Sequence, residues 1–125
     1  MQSKTLYERL GSAAGIARIV DDIVAAHMQN GTVSPRFLPI LDEPERLAVI
    51  KKHTCQFLAA GSGGPQEYDG KEMMDVHRGM NISDNEYAAV VDDIMSTLVK
   101  HDIDEATRND VLAITYALRP AIVRV

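Results

Sequence analysis

Gly15-Ile16-Ala17-Arg18-Ile19-Val20-Asp21-Asp22-Ile23-Val24 places its large apolar side chains at steps of three and four. That spacing puts Ile16, Ile19, Val20, Ile23 and Val24 on one face of a helix, with Arg18, Asp21 and Asp22 mainly on the other. The helix is expected to start near Ser12 and to fray at Gln29-Asn30-Gly31, where helix formers give way to stop signals. Downstream, Val33-Ser-Pro-Arg-Phe37 and Pro39 read as a tight corner with a short helical turn. Asp42 is a plausible N-cap for a second long helix, with Glu43-Pro44-Glu45 in its first turn. The apolar stripe of this helix is Leu47, Ile50, Phe57 and Leu58, and Gly61-Ser-Gly-Gly-Pro65 ends it.

Beyond a turn-rich link from Pro65 to Gly70, a short helix is expected from about Lys71 to His77, stopping at Gly79. Ser83-Asp-Asn-Glu86 is a capping box. The helix behind it carries Tyr87, Val90, Val91, Ile94, Met95 and Leu98. A last helix from about Asp104 carries Val111, Leu112, Ile114, Thr115 and Leu118, with Pro120 closing it. Strand-like alternation is hard to find. The fold class is therefore all-α, with four substantial helices and shorter pieces.

The 125 residues suit one domain, 1–125, and 46% of them are apolar, enough for a core without disulfides. A net charge of −5 with no basic stripe argues against nucleic acid as a partner. No run approaches the roughly 20 apolar residues of a membrane span. The single cysteine, Cys55, and an N-terminus (Met1-Gln-Ser-Lys-Thr5) without the features of a secretory signal make the cytosol the simplest address. One cysteine also excludes Cys-x-x-Cys-His haem attachment and a closed Cys/His zinc set. Cys55 reads as a small buried hydrophobe rather than a nucleophile.

Generic catalytic motifs are missing, and no catalytic residue is assigned. Gly61-Ser-Gly-Gly64 has neither the preceding strand nor the following Gly-Lys-Ser/Thr of a phosphate loop. The paired acids Asp21-Asp22 and Asp92-Asp93 read as solvated helix surface. The histidines say more. His53 falls on or beside the core-facing stripe of its helix, and His77 closes the short helix four residues after Met73. For both, a core imidazole bonded to a carbonyl is the commoner outcome of such spacing. Ligation of a metal is the alternative, since a haem pocket is an apolar wall around one imidazole. His27 rides the stripe of the first long helix and reads as a packed or rim histidine. His101 reads as a solvent-facing helix end.

Read together, several segments carry a resemblance. They are Thr5-Leu-Tyr-Glu-Arg-Leu-Gly11, Gly15 to Asp22, Gly63-Gly-Pro-Gln-Glu-Tyr-Asp-Gly70, Met73-Met-Asp-Val-His-Arg-Gly-Met-Asn-Ile82 and Leu112-Ala-Ile-Thr-Tyr-Ala-Leu-Arg-Pro120. In this order they resemble the group I truncated haemoglobins, short globins with a two-over-two helical sandwich around haem. The resemblance implies haem b as cofactor and His77 as the proximal iron ligand. It implies Phe37 wedged against the porphyrin, and Met73, Val76 and Ile82 lining the proximal side. Phe57 and Leu58 match the apolar pair on the distal helix.

Where the family usually has a tyrosine that donates to bound oxygen, Val24 stands here. Ile50 and Thr54 occupy positions where glutamine or another polar residue often completes the distal network. A buried donor to bound oxygen contributes about 1–3 kcal/mol, or about tenfold to a hundredfold in affinity. A simple high-affinity oxygen store is thereby disfavoured. His53 matches a histidine that becomes the sixth iron ligand in cyanobacterial relatives. This leaves two states open, bis-histidyl iron when no gas is bound, or five-coordinate iron with His53 at the haem edge.

The implied function is binding of oxygen, nitric oxide or carbon monoxide. The alternatives are a nitric oxide dioxygenase or peroxidase-like activity served by a separate reductase, and a redox, electron-transfer or sensing role. A helical bundle without haem is the outsider.

Overall fold

The computed structural model describes residues 4–125; Met1, Gln2 and Ser3, part of the N-terminal stretch read for a signal, lie outside the described residues. The elements are α1 (Leu6–Arg9), α2 (Ser12–Gln29), a 3₁₀ turn at Ser34–Arg36, α3 (Leu38–Leu41) and α4 (Pro44–Gly61). They continue with α5 (Met73–His77), α6 (Asp84–Lys100) and α7 (Glu105–Ile122). Among the described residues no helix is long and apolar enough to cross a membrane.

Helix α2 packs on both α4 and α6, α6 packs on α7, and α5 lies against α7. The core forms where α2 meets its neighbours. Leu10, Ile16, Ile19, Val20 and Leu98 are each only 1% exposed, joined by Ile23, Ala59 and Val111. The three-and-four spacing of α2 gathers Ile16, Ile19, Val20 and Ile23 on one face, where Leu10, Ala59, Leu98 and Val111 meet them from neighbouring segments. Removal of these side chains from water drives the packing.

Local chemistry fixes the helix ends. Thr5 and Ser83 each form a reciprocal capping box, with Glu8 and Glu86 respectively. Arg9 ties α1 to α7 through Thr107 Oγ1 at 3.0 Å and Asp110 at 2.7 Å. Buried Tyr87 on α6 donates to the carbonyl of Thr115 on α7. Gly64 passes so close to α1 that a Cβ there would stand 2.5 Å from the Tyr7 ring.

The chain then returns to the segment after α5. The carbonyl of Val125 accepts from the N–H groups of Gly79 (3.2 Å) and Asn81 (3.1 Å), and Arg124 N–H donates to the Ile82 carbonyl (2.9 Å). Ile82 and Val123 form an isolated parallel bridge.

Several sequence expectations need correction. Asp42 ends α3, and Glu43 stands at the N-cap of α4 without a side-chain cap. Helix α5 begins at Met73 rather than near Lys71, after an extended Glu72. Pro120 does not close α7, which runs to Ile122. A proline so near the end costs one hydrogen bond, to the carbonyl of Tyr116, a residue that is 72% exposed. Cys55 is half-buried rather than buried, and burial raises its thiol pKa, as expected for an unreactive cysteine.

Candidate functional site

His77 is the last residue of α5, and helical spacing brings its ring back over the first turn. Its Nδ1 donates to the carbonyl of Met73 at 2.8 Å. A carbonyl can only accept, so Nδ1 carries the proton and Nε2 of the neutral ring keeps its lone pair. Nε2 makes no hydrogen bond among the described residues. An imidazole fixed in this tautomer by a backbone carbonyl has the arrangement that orients histidine toward a metal.

The surroundings of His77 are apolar and incompletely covered. Met73 and Ile82 are half-buried and Val76 is 45% exposed. Helix α5 buries no residue, and α4 buries only Ala59 although Leu47, Ile50, Phe57 and Leu58 all lie along it. Free Nε2 beside uncovered apolar surface fits a flat, mostly apolar group that takes one nitrogen ligand, as haem does.

The other candidates fall into two clusters. Phe37, half-buried at the corner before α3, packs on the His27 ring, with centroids 5.4 Å apart and planes tilted by 32°. Val24 lies buried one helical turn before His27. Phe57 meets Tyr68 edge to face at 5.3 Å, and His53 meets the same tyrosine at 6.0 Å. Nε2 of His53 lies 3.3 Å from Asp69 Oδ1. Ile50 is half-buried, and its carbonyl accepts the hydroxyl proton of exposed Thr54 at 2.8 Å. The Thr54 hydroxyl is therefore spent on backbone.

Two polar links escaped the sequence reading. Buried His27 places Nδ1 2.6 Å from Asp93 Oδ2, and Asn30 donates to Asp93 Oδ1 at 3.1 Å. Asp93 is thus not solvated surface: its side chain is 13% exposed. Its helical neighbours Val90 and Thr97 lie on the inward side of α6, a phase signal that could have separated it from exposed Asp92. His101 is half-buried rather than solvent-facing, with Nε2 2.7 Å from Asp22 Oδ2.

The Ser34–Arg36 turn beside Phe37 is anchored to α6. Arg36 Nε and Nη2 donate to Glu86 at 2.6 and 3.0 Å. With the Ser83 backbone N–H, this pairing holds the Glu86 carboxyl down to about 2.

Comparison with known proteins agrees with this fold. The family described as bacterial-like globin matches residues 5–123. The group 1 truncated hemoglobin of Synechocystis sp. is 26% identical over 117 residues, covering 90% of each chain. The truncated hemoglobin of Tetrahymena pyriformis in its Fe(III) form superposes with a TM-score of 0.88 at 23% identity, over 98% of this chain and 100% of that one. The 2/2 hemoglobin of Synechococcus sp., solved in the cyanomet state with covalently attached heme, gives 0.80 at 22% identity, over 90% of each chain.

The helices therefore form a two-over-two globin, a class built around haem. The chain belongs to the bacterial-like globin family, and it is similar in sequence to group 1 truncated hemoglobins. Haem is its cofactor, and diatomic gases are the ligands of this class.

Proposed function

We propose that the chain holds haem b through Nε2 of His77 and takes oxygen, nitric oxide or carbon monoxide on the opposite face. The observation that carries this is the Nδ1 bond of His77 to Met73, which leaves Nε2 with a lone pair at the edge of uncovered apolar surface. Haem supplies an iron atom with a position at which a diatomic molecule binds reversibly.

Met73, Val76 and Ile82 would give the proximal wall, and Phe37 and Phe57 would hold the group from the corner and from α4. This wall keeps water away and slows loss of the group. On the distal side Val24 and Ile50 have no side-chain donor, and the Thr54 hydroxyl already donates to a backbone carbonyl. A negatively polarised ligand gains no hydrogen bond from these three positions, so strong oxygen retention is not the role they favour.

His53, on the same helix as Phe57, favours electron transfer or redox sensing, because a second imidazole that reached the iron would compete with gas. The acidic, single-cysteine chain suits the cytosol, and a separate reductase would keep the iron ferrous.

Absorption spectra of ferric, ferrous and carbon monoxide-treated protein test the reading. Wild type is expected to show a Soret band that shifts with carbon monoxide. His77→Gly should lose or strongly shift that band and recover it when imidazole is added. An unchanged spectrum in His77→Gly would overturn the assignment.

A further inference from the structure

The loop before α5 is fastened to α4 at the one place where α4 carries a second imidazole. Asp69 Oδ1 lies 3.3 Å from Nε2 of His53. The Asp69 N–H donates to Gln56 Oε1 at 3.4 Å, so backbone and side chain of Asp69 both face α4. Behind Asp69, the Tyr68 ring stands edge-on to His53, with planes at 74°, and edge-on to Phe57. The Tyr68 hydroxyl donates to the carbonyl of Lys71, which turns the ring back over the chain. Gly70 makes that turn possible: a Cβ there would stand 2.5 Å from the Tyr68 hydroxyl oxygen.

While Nε2 of His53 stands beside Asp69 it cannot also stand at a metal, and an Nε2 that carries a proton there has no lone pair to give. We propose that Asp69, backed by Tyr68, withholds His53 from the haem iron. Loop 68–70 thereby sets whether the iron has one protein ligand or two. The proposal rests on haem being held by His77. The latch is a weak one by construction. The side chains of His53 and Asp69 are 36% and 62% exposed, and a pair this open to water shifts an equilibrium by up to about fivefold. That size suits a bias between two populated states better than a lock.

The test compares ferric, haem-loaded wild type, Asp69→Ala, His53→Ala and the double variant by visible spectroscopy. The ratio of low-spin to high-spin iron is expected to rise about three- to fivefold in Asp69→Ala and to vanish in both variants lacking His53. Asp69→Asn, which keeps the side-chain shape, should move the same way by less. Carbon monoxide binding to the ferrous Asp69→Ala protein should slow by a similar factor, since His53 must leave first. In haem-free protein, nuclear Overhauser contacts between the His53 and Tyr68 rings should be present in wild type and weakened in Asp69→Ala.

Low-spin bands that disappear in His53→Ala yet do not move in either Asp69 variant would keep His53 as a ligand and overturn the latch. Identical spectra in all variants, with the Soret band intact, would remove both while leaving His77 in place. No Soret band in wild type would instead overturn the haem reading itself.

Discussion

Helices α2 and α4 are each 18 residues long, yet they are finished to very different degrees. Helix α2 buries Gly15, Ile16, Ile19, Val20, Ile23, Val24 and His27, whereas α4 buries Ala59 alone. Helix α5, which carries His77, buries nothing. The difference is not one of available apolar residues, since α4 has Leu47, Ile50, Phe57 and Leu58 on its stripe. It lies in what covers them. The α2 side is closed by other helices, while the α4–α5 side keeps apolar surface that polypeptide alone does not cover. On the proposed reading, other helices cover α2, whereas haem would cover what α4 and α5 leave open.

The most severe way to break this contrast is to cut into each side. In haem-free protein, Ile19→Ala should lower the unfolding free energy by about 2–5 kcal/mol in urea denaturation. Leu47→Ala on α4 should cost less than about 1 kcal/mol, because a half-covered side chain loses less on truncation. Equal losses would mean that α4 is as finished as α2.

Adding haem sharpens the comparison. At a free concentration a hundredfold above its dissociation constant, it should stabilise the fold by about 2.7 kcal/mol. Hydrogen exchange should slow chiefly in α4 and α5, with little change in α2.

The smallest effect concerns the corner that holds Phe37. Arg36→Met should cost about 1 kcal/mol at neutral pH, the scale of a well-aligned but partly exposed bidentate pair. Glu86 titrates at about 2 in the fold against an ordinary value of 4.5. Its contribution is therefore complete above pH 4.5 and fades as the pH falls toward 2. Denaturation curves across that window should show a shallower loss in Arg36→Met than in wild type.

Much of this architecture was written in local pattern. Strict spacing marked α2, and the Ser83–Glu86 box marked the start of α6, because both signals lie within a few residues of the chain. The return of His77 onto Met73 is likewise one helical turn. What could not be read were polar pairs that unite distant segments: His27 with Asp93, His101 with Asp22, and His53 with Asp69. Each joins a histidine to an ordinary-looking surface acid through packing, and no spacing rule specifies which acid a histidine will meet. Asp93 is the partial exception, since its helical phase already aligned it with Val90 and Thr97.

Residues 123–125 run beside the segment that follows His77, joined to it by main-chain bonds at Gly79, Asn81 and Ile82. Residues 123–125 thus act as a brace on the segment next to His77, the imidazole proposed to hold the iron. A change that breaks these main-chain bonds would let the segment after His77 drift, and with it, on the proposed reading, the hold on the porphyrin.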